Sequence, residues 1–378
     1  MTYYLSYSDF RIKRYDKNKN RKKLYDLTGL SGGFPVEDND ISLLENYIGS
    51  AVFEELLETE AKNHLDGEKA LAVNRTSSGI LSTILSLVNK DNYVVHYLAK
   101  SPAHPSIPLS TQLVGANYLE FDKIEEFQIP ENTDLVVITG STMDHKVISE
   151  DDFKKVINKA KNRNIPTLVD DASGARLRTA IFKQETAIKM GADLVITSTD
   201  KLLNGPRGGL MAGKTELIDK IKVKAYQLGL EAQSPQIAGI VRALEEYNPE
   251  TLVESIEKKD LLFQGLKETI PLMEKTPTGV MLTTESLKKE IENNNIKTEL
   301  SAKDLSFVWA MILLKKYNIL TIPAVGMPKA SATIRFDMAA QDAKDCSISE
   351  LTKIIIDSFN DLLNVVNDTE KCRKIVFN

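Results

Sequence analysis

Short apolar runs alternate with longer amphipathic segments along the chain from about residue 70 onward. The runs are rich in Val, Ile and Leu, and few polar residues interrupt them, which is typical of strands buried in a mostly parallel sheet. We predict strands of this kind at 70–73, 93–98, 135–139, 167–169, 194–197 and 210–212. Helical segments separate several of them, and the repeated strand, helix and strand units predict a doubly wound α/β domain.

The pattern changes after about residue 215. A helical stretch at 215–246 is followed by an Asn-Pro pair and then by a mixture of short strands and helices. We predict strands near 279–284, 318–322 and 332–336, and helices near 303–316 and 348–366. The sequence therefore predicts an N-terminal arm (1–40), a large domain (41–245) and a smaller C-terminal α+β domain (246–378).

Composition narrows the class of protein. The 378 residues are 42% hydrophobic and 27% charged, with a net charge of −5, which provides for a buried core and argues against disorder. Neither Cys346 nor Cys372 belongs to a C-x-x-C pair, and the four histidines do not cluster with them, so we expect no zinc site. We expect a cytoplasmic protein, because the cysteine content is low and the N-terminus lacks the apolar core of a signal peptide. We expect no membrane span, because no apolar run approaches about 18 residues.

Basic residues are concentrated near the N-terminus. Residues 11–23 contain eight basic residues and a single acid, Asp16, so this segment is strongly positive although the whole chain is negative. A solvated arm explains such a run of charge. A contact with RNA or with another anion is the alternative interpretation.

Two neighbouring predicted strands deliver reactive side chains to the same edge of the sheet. One strand is followed by Asp170, Asp171 and Ala172, and the next by Ser198 and Lys201. Ligands of a doubly wound sheet bind at the carboxyl ends of its strands. A crowded lysine can attack an aldehyde, and an acid that faces a pyridine nitrogen keeps the ring protonated as an electron sink. Ala172 would leave room for a flat ring, and Ser198 would offer a hydroxyl to a phosphate.

Two segments have patterns that are associated with phosphate binding. Ser77, Ser78 and Gly79 stand at the start of a predicted helix, where free backbone N–H groups and the helix dipole favour an anion. The segment 208–215 satisfies the P-loop pattern G-x-x-x-x-G-K-[ST]. Its interior is apolar and itself predicts a strand, and no apolar strand immediately precedes it, so the first segment is the better candidate.

Two further side chains are candidates for the same site. His104 follows the predicted strand at 93–98, and its imidazole could stack on the face of a ring. Arg335 lies at a strand edge in the predicted C-terminal domain, and arginine is suited to clamp the α-carboxylate of a substrate. An incidental loop histidine and a surface salt bridge between Arg335 and Asp337 are the structural alternatives.

With these residues identified, the chain resembles bacterial selenocysteine synthase, the L-seryl-tRNA(Sec) selenium transferase family. The resemblance covers about residues 70–245. It is sharpest at 166–174, where that family shows a similar strand and a paired Asp with Ser and Gly, and at 200–209, where it shows a D-K-L-L-G-G-P segment. The resemblance implies relatives among archaeal proteins that are similar to selenocysteine synthase.

This resemblance implies an aspartate-aminotransferase-like fold, type I among pyridoxal phosphate (PLP) enzymes, with PLP held by Lys201 as a Schiff base. It implies Asp170, or else Asp171, at the pyridine nitrogen. It also implies a phosphate cup formed by Ser77, Ser78, Gly79 and Ser198. Because the active site of this fold usually lies at a homodimer interface, we expect a homodimer or a larger homo-oligomer, with the segments 29–33 and 231–233 as candidates to approach the site.

The leading hypothesis is a PLP-dependent enzyme that acts on an amino acid or an aminoacyl group, with Lys201 as the catalytic base. β-Elimination or replacement fits the resemblance, whereas aminotransfer and ammonia-lyase chemistry use the same residues. A tRNA is a further candidate partner. The alternatives are a catalytically silent relative that binds RNA or another partner, and a P-loop nucleotide-binding protein.

Overall fold

The computed structural model describes residues 24–326 and 331–377. These residues form two compact units. The larger unit is Leu30–Glu250, and the smaller one comprises residues 24–29 together with the described residues from Thr251 onward. The sequence predicted boundaries after residues 40 and 245, whereas the units divide after Gly29 and after Glu250, and the described residues that precede Leu30 join the smaller unit. The basic segment 11–23 lies outside the described residues.

The described residues form strands and helices throughout both units. The strands are β1 (Tyr25–Asp26), β2 (Lys69–Val73), β3 (Tyr93–Leu98), β4 (Asn117–Phe121), β5 (Thr133–Thr139), β6 (Thr167–Asp170), β7 (Leu194–Ser198), β8 (Gly209–Gly213), β9 (Glu274–Lys275), β10 (Gly279–Leu282), β11 (Ile319–Leu320) and β12 (Ile334–Asp337). The helices are α1 (Asp38–Leu44), α2 (Ile48–Leu65), α3 (Thr76–Leu87), α4 (Ser106–Leu113), α5 (Glu150–Lys161), α6 (Gly174–Arg176), α7 (Thr215–Gln227), α8 (Ser234–Glu245), α9 (Glu250–Lys267), α10 (Thr284–Asn293), α11 (Ala302–Tyr317), α12 (Ile322–Val325), α13 (Ile348–Leu363) and α14 (Thr369–Phe377). A π-helical turn (Leu177–Ile181) follows α6, and a 3₁₀ turn (Gln341–Lys344) follows β12.

The larger unit is built on a seven-stranded sheet in the order β2-β8-β7-β6-β5-β3-β4. Only β8 runs antiparallel to its neighbours, so the sheet is mixed and mostly parallel. The predicted α/β class is therefore confirmed, and each of the six predicted strands is present within two residues of its expected bounds. The sequence pattern missed β4, because this edge strand is only half-buried and carries polar residues.

Helices cover both faces of this sheet. On one side, which we call the α3 face, strand residues such as Leu168 and Ile196 contact α3, α4 and α7. On the other side, Val169 and Val195 contact α2, α5 and α8. Neighbouring residues of a strand point to opposite faces, so strands that are buried on both sides are apolar throughout. This burial explains why the strand pattern could be recognised from the sequence.

The predicted long helix at 215–246 is wrong, since the structure contains two helices, α7 and α8, in its place. Gly229 adopts a left-handed conformation, with φ of +63°, directly after the end of α7. Pro235 stands in the first turn of α8. Glycine after a helix and proline at the next helix start are the expected stop and start signals, and the sequence interpretation passed over both.

The smaller unit has an α+β core of its own. β9, β10 and β12 form an antiparallel sheet, while β1 pairs in parallel with β11. Trp309 of α11 is fully buried against Phe336 and Phe359, and its indole N–H donates a hydrogen bond of 3.0 Å to Ser358. Tyr25 and Asp26 thus add a strand to this core, which explains why the chain before Leu30 belongs to the smaller unit.

The P-loop pattern does not form a phosphate loop. Its interior is β8, a fully buried strand that pairs on both sides. Lys214 forms an ion pair of 2.6 Å with Asp193, and the Thr215 hydroxyl donates to Glu68. A phosphate-binding loop needs an open, glycine-rich turn before its helix, so this geometry argues against the P-loop hypothesis.

Gly209 at the start of β8 sets the position of α3. A Cβ atom at this residue would lie 2.9 Å from the backbone nitrogen of Thr76, the first residue of the helix. We expect Gly209→Ala to lower the free energy of unfolding by about 1–3 kcal/mol, because backbone must move to relieve the overlap. Urea denaturation would measure this loss. Gly32→Ala is the control, since nothing lies within 4 Å of its Cβ position, and an equal loss in both variants would contradict the argument.

Candidate active site

The carboxyl ends of β5, β6 and β7 lie side by side. Thr139 pairs with Asp170 in register, and Asp170 in turn pairs with Ile196. Asp170 is the last residue of β6, and Lys201 follows the end of β7 by three residues. The charge of Lys201 lowers the pKa of Asp170 against the larger effect of burial, so the two groups interact. The structure thus brings the predicted acid and lysine to one edge of the sheet.

Asp170 is a buried carboxyl group with an unused acceptor. Asp170 is only 8% exposed, and none of the described residues donates a hydrogen bond to its Oδ1 atom. The pKa of Asp170 is raised to about 6, chiefly by burial; the charge of Lys201 lowers it, the charge of Asp171 raises it, and a backbone hydrogen bond from Ala172 lowers it. A buried acceptor of this kind is costly unless a donor meets it, so the carboxyl group suits a ligand that brings a cationic N–H group.

Asp171 is engaged elsewhere. It forms a fully buried ion pair with Arg178, whose Nη2 atom lies 2.5 Å and whose Nε atom lies 3.2 Å from the Oδ2 atom of the carboxylate. The guanidinium group also stands over the ring of Phe153. Of the two acids that the sequence left open, Asp170 is therefore the one that can face a ligand. The sequence interpretation missed Arg178, which lies seven residues further on in the π-helical turn.

Lys201 lies in a constrained backbone segment. Leu30 forms an antiparallel bridge with Lys201, and the Ser31 N–H donates a hydrogen bond of 2.6 Å to the Asp200 carbonyl. Leu202, directly after the lysine, has φ of +54°. Left-handed backbone is unfavourable for a leucine and is found preferentially at functional sites. Two residues of the 29–33 segment, Leu30 and Ser31, thus contact Lys201 and Asp200 within the larger unit.

The predicted phosphate cup lies in the first turn of α3. Ser77, Ser78 and Gly79 all belong to this helix, with the Ser77 side chain exposed and Gly79 buried. The fourth member, Ser198, is buried, and its hydroxyl donates a short hydrogen bond to Asp200. The Ser78 and Gly79 N–H groups donate to the Arg75 carbonyl at 2.9 and 3.3 Å, so α3 offers an anion its helix dipole and the N–H groups of its first two residues.

Two arginines that the sequence interpretation missed lie at the same helix start. Val73 pairs with Gly209 in the antiparallel β2–β8 register, and the Arg75 carbonyl carbon lies 3.0 Å from the Cβ position of Gly209, two residues after Arg207. Partial burial and then the charge of Arg207 lower the pKa of Arg75, whereas Asp200 raises it. Arg207 Nε lies 3.4 Å from Asp200 Oδ2. Two guanidinium groups that share one carboxylate favour an added anion. Only the strand register could have revealed this pair, because the two residues are far apart in sequence.

The remaining candidates occupy separate places. Ala172 lies between the ends of β6 and β7, where its carbonyl accepts a hydrogen bond of 3.0 Å from the Ser198 N–H. His104 is exposed, and its Nδ1 atom accepts a hydrogen bond of 3.2 Å from the Ser106 N–H at the start of α4. Arg335 belongs to β12 of the smaller unit, is 7% exposed and donates to the Thr28 carbonyl at 3.1 Å. The roles of all three in a site stay predictions.

The described ranges contain neither a candidate metal site nor a candidate membrane-spanning helix. No group of three or more His, Cys, Asp and Glu side chains there is arranged to hold a metal ion. Cys346 and Cys372 are both free thiols. In the same ranges, no helix combines the length and the apolar character that crossing a membrane requires.

Similar proteins match most of the length of this chain. It is 50% identical over 347 residues to a UPF0425 pyridoxal phosphate-dependent protein of Methanosphaera stadtmanae, covering 92% of this chain and 91% of the relative. The chain belongs to the UPF0425 family. The family model for the UPF0425 C-terminal domain matches residues 268–347, and the model for L-seryl-tRNA selenium transferase matches residues 129–302.

More distant likenesses agree with the fold. An L-seryl-tRNA(Sec) selenium transferase of Clostridium perfringens is 25% identical over 233 residues, which cover 56% of this chain and 50% of the relative. The solved serine palmitoyltransferase of Sphingomonas wittichii superposes with a TM-score of 0.65 at 15% identity and covers 91% of this chain and 89% of its own. The predicted resemblance and the type I, aspartate-aminotransferase-like fold are both confirmed.

The two adjacent acids predict opposite effects on stability. In the cofactor-free protein at pH 8, we expect Asp170→Asn to raise the free energy of unfolding by about 1–3 kcal/mol, because it removes a buried, ionised carboxylate. The folded pKa of about 6 exceeds the unfolded value of 3.8. The wild type should therefore lose stability as the pH rises from about 4 to 6, and the variant should not. Urea unfolding across this range measures the difference.

Asp171→Asn is the matched comparison for this measurement. It leaves the Arg178 guanidinium buried without its carboxylate, which costs about 3–5 kcal/mol. Stabilisation of Asp171→Asn, or destabilisation of Asp170→Asn at pH 8, would show that the two carboxyl groups have been assigned to the wrong roles.

Proposed function

We propose that this protein is a PLP-dependent enzyme that acts on an amino acid or an aminoacyl substrate, with Lys201 holding the cofactor as a Schiff base. The observation that carries the proposal is the placement of Lys201 and Asp170 at adjacent strand ends, with the Oδ1 atom of Asp170 buried and unused. Membership of a family whose proteins are named pyridoxal phosphate-dependent supports it.

The residues of this site fit the three functional groups of PLP. Lys201 would hold the aldehyde, Asp170 would accept from the protonated pyridine nitrogen, and the first turn of α3 would bind the phosphate. Arg75, Arg207 and Ser198 lie where they would add charge and a hydroxyl to that phosphate site. When bound, the ring draws electrons from the α-carbon of an attached amino acid, which makes the α-proton acidic.

The protein's own groups then have separate tasks. Lys201 would hold the cofactor aldehyde before the substrate binds, and its Nζ atom would then be the base that removes or returns the proton at the substrate α-carbon. Asp170 in its ionised form holds the ring nitrogen protonated. His104 and Ala172 would contact the cofactor ring, and Arg335 would bind the substrate carboxylate.

Among reactions that use these residues, β-elimination or replacement is the one we propose. Its support is the similarity of residues 129–302 to L-seryl-tRNA selenium transferase. Aminotransfer and ammonia-lyase chemistry need the same lysine and acid and are the alternatives. A homo-oligomeric assembly and a cytoplasmic location are further parts of this proposal, supported by the fold and by the two free cysteines.

Borohydride trapping tests the central claim. Purified protein is incubated with PLP, reduced, digested and analysed by mass spectrometry, with an absorbance spectrum recorded before reduction. We expect the label on the peptide that contains Lys201 and a visible band that Lys201→Ala lacks, because the Schiff base needs that amine.

Lys214→Ala is the control, because Lys214 is bound to Asp193 at the opposite edge of the sheet and should keep full labelling. Labelling that is spread over several lysines, or that persists in Lys201→Ala, would refute the proposal. A labelled protein from which no amino acid displaces the lysine would favour the catalytically silent relative.

A further inference from the structure

A row of hydrogen-bonded polar side chains crosses the α3 face of the large sheet from β5 to β4. The Thr139 hydroxyl lies 2.8 Å from His96 Nε2, and His96 Nδ1 lies 2.8 Å from the Tyr118 hydroxyl. Tyr118 in turn donates a hydrogen bond of 2.6 Å to Glu120. His96 is fully buried. This row stands among the Val, Leu and Ile side chains that otherwise form this face.

The carboxylate at one end of the row fixes the direction of every proton in it. The Glu120 carboxylate has no proton to donate, so the Tyr118 hydroxyl must donate its proton to Glu120. Tyr118 must therefore accept the hydrogen bond that it shares with His96. His96 therefore carries its proton on Nδ1, which leaves Nε2 as an acceptor for the hydroxyl proton of Thr139. Burial lowers the pKa of His96 to about 4, which agrees with a neutral ring that has one N–H group.

The other end of the row lies beside the candidate site. Thr139 ends β5 and pairs in register with Asp170, and both residues continue the α3 face that Val137 and Leu168 occupy two positions earlier. Because its proton is committed to His96, the Thr139 hydroxyl is not a donor for Asp170, whose Oδ1 atom accepts no hydrogen bond from the described residues. Two acceptors side by side disfavour an ionised carboxylate when the site is empty, and they suit a cationic N–H donor.

Glu120 makes one more contact that bears on the site. Its carboxylate accepts from the Ala103 N–H at 3.2 Å, and Asp122 accepts from the Ser101 N–H at 3.0 Å. His104 is the next residue after Ala103. The half-buried edge strand β4 thus fixes the loop that carries the predicted ring-stacking histidine.

We propose that Glu120 is a positioning residue for the cofactor pocket. Through Tyr118 and His96 it locks the Thr139 hydroxyl as a second acceptor beside Asp170, and through Ala103 it holds the loop that carries His104. The link to the cofactor rests on the proposed function, whereas the direction of the protons does not depend on it.

Histidine tautomers test the direction of the row without any cofactor. The protein has four histidines, so a sample labelled with ¹⁵N-histidine gives few signals, and nitrogen chemical shifts distinguish the two neutral tautomers. We expect wild-type His96 to be the Nδ1–H tautomer and not to titrate between pH 5 and 8. In Tyr118→Phe the Nδ1 proton loses its acceptor, so we expect His96 to change to the Nε2–H tautomer and donate to Thr139.

Tyr97→Phe is the matched control. Tyr97 is the neighbouring residue of β3, points to the opposite face and donates to Asp152 at 3.1 Å, so this variant should keep the wild-type tautomer. A wild-type His96 that is charged, or protonated on Nε2, would overturn the proposed direction. An unchanged tautomer in Tyr118→Phe would overturn it as well.

Cofactor binding tests the link to the site. In Tyr118→Phe, His96 donates to Thr139, so the Thr139 hydroxyl proton becomes available to Asp170. A hydrogen bond from Thr139 to the Asp170 carboxylate would compete with the hydrogen bond from the ring nitrogen of PLP. We expect the Kd for PLP to rise about five- to tenfold, with no change in Tyr97→Phe. A changed tautomer with an unchanged Kd would disprove the coupling. Absence of PLP binding by the wild type would disprove the proposed function and leave the tautomer result standing.

Hydrogen exchange tests the loop contact. Glu120→Ala removes the acceptor of the Ala103 N–H, and we expect exchange of that amide to accelerate at least tenfold. Glu120→Gln keeps an acceptor oxygen and should restore most of the protection. Equal exchange in the wild type and in Glu120→Ala would refute the contact with the loop.

Discussion

The buried ion pair between Asp171 and Arg178 determines what the end of β6 can do. Two carboxyl groups follow each other there in a region that excludes water, and two uncompensated charges would be prohibitively costly. Arg178 neutralises one of them and is itself held by the Glu185 carbonyl at 3.0 Å. Asp170, which accepts a backbone hydrogen bond from Ala172, keeps its Oδ1 atom without a donor among the described residues, and burial raises its pKa to about 6. The chain thus neutralises one acid with its own guanidinium group and leaves an acceptor atom of the other unused.

The π-helical turn at Leu177–Ile181 makes this arrangement geometrically possible. A π-turn shifts the side chains that follow it relative to an α-helix, and such turns are common at functional sites. Here the turn contains Arg178 and presents it to Asp171 from seven residues further along the chain. Nothing in the sequence pattern signals a π-turn. The choice between the two acids therefore required the structure, although the pair itself was recognisable as a site.

Local patterns predicted the fold better than they predicted the site. The β6 and β7 strands are buried on both faces, so their apolar runs were recognisable, whereas β4 alternates half-buried and polar residues and was missed. The site depends on which residues stand opposite each other across strands. The charge of Arg207 lowers the pKa of Arg75 although the two residues are far apart in the sequence, and no local pattern contains the β2–β8 register that brings their segments together. Lys201 and Asp170 were predictable because parallel strands bring their ends to one edge.

The polar row on the α3 face links side chains of three strands, β5, β3 and β4, through consecutive hydrogen bonds. Each of its buried groups would cost free energy if its partner were missing, and apolar side chains of similar size would fill the same space without that risk. A fully satisfied row has one property that apolar packing lacks, which is a fixed proton direction. That direction begins at the Glu120 carboxylate on the edge strand and ends at Thr139, the residue opposite Asp170. In the arrangement we propose, the missed strand β4 is therefore not a passive edge of the sheet, since its acid directs every proton of the row away from Asp170.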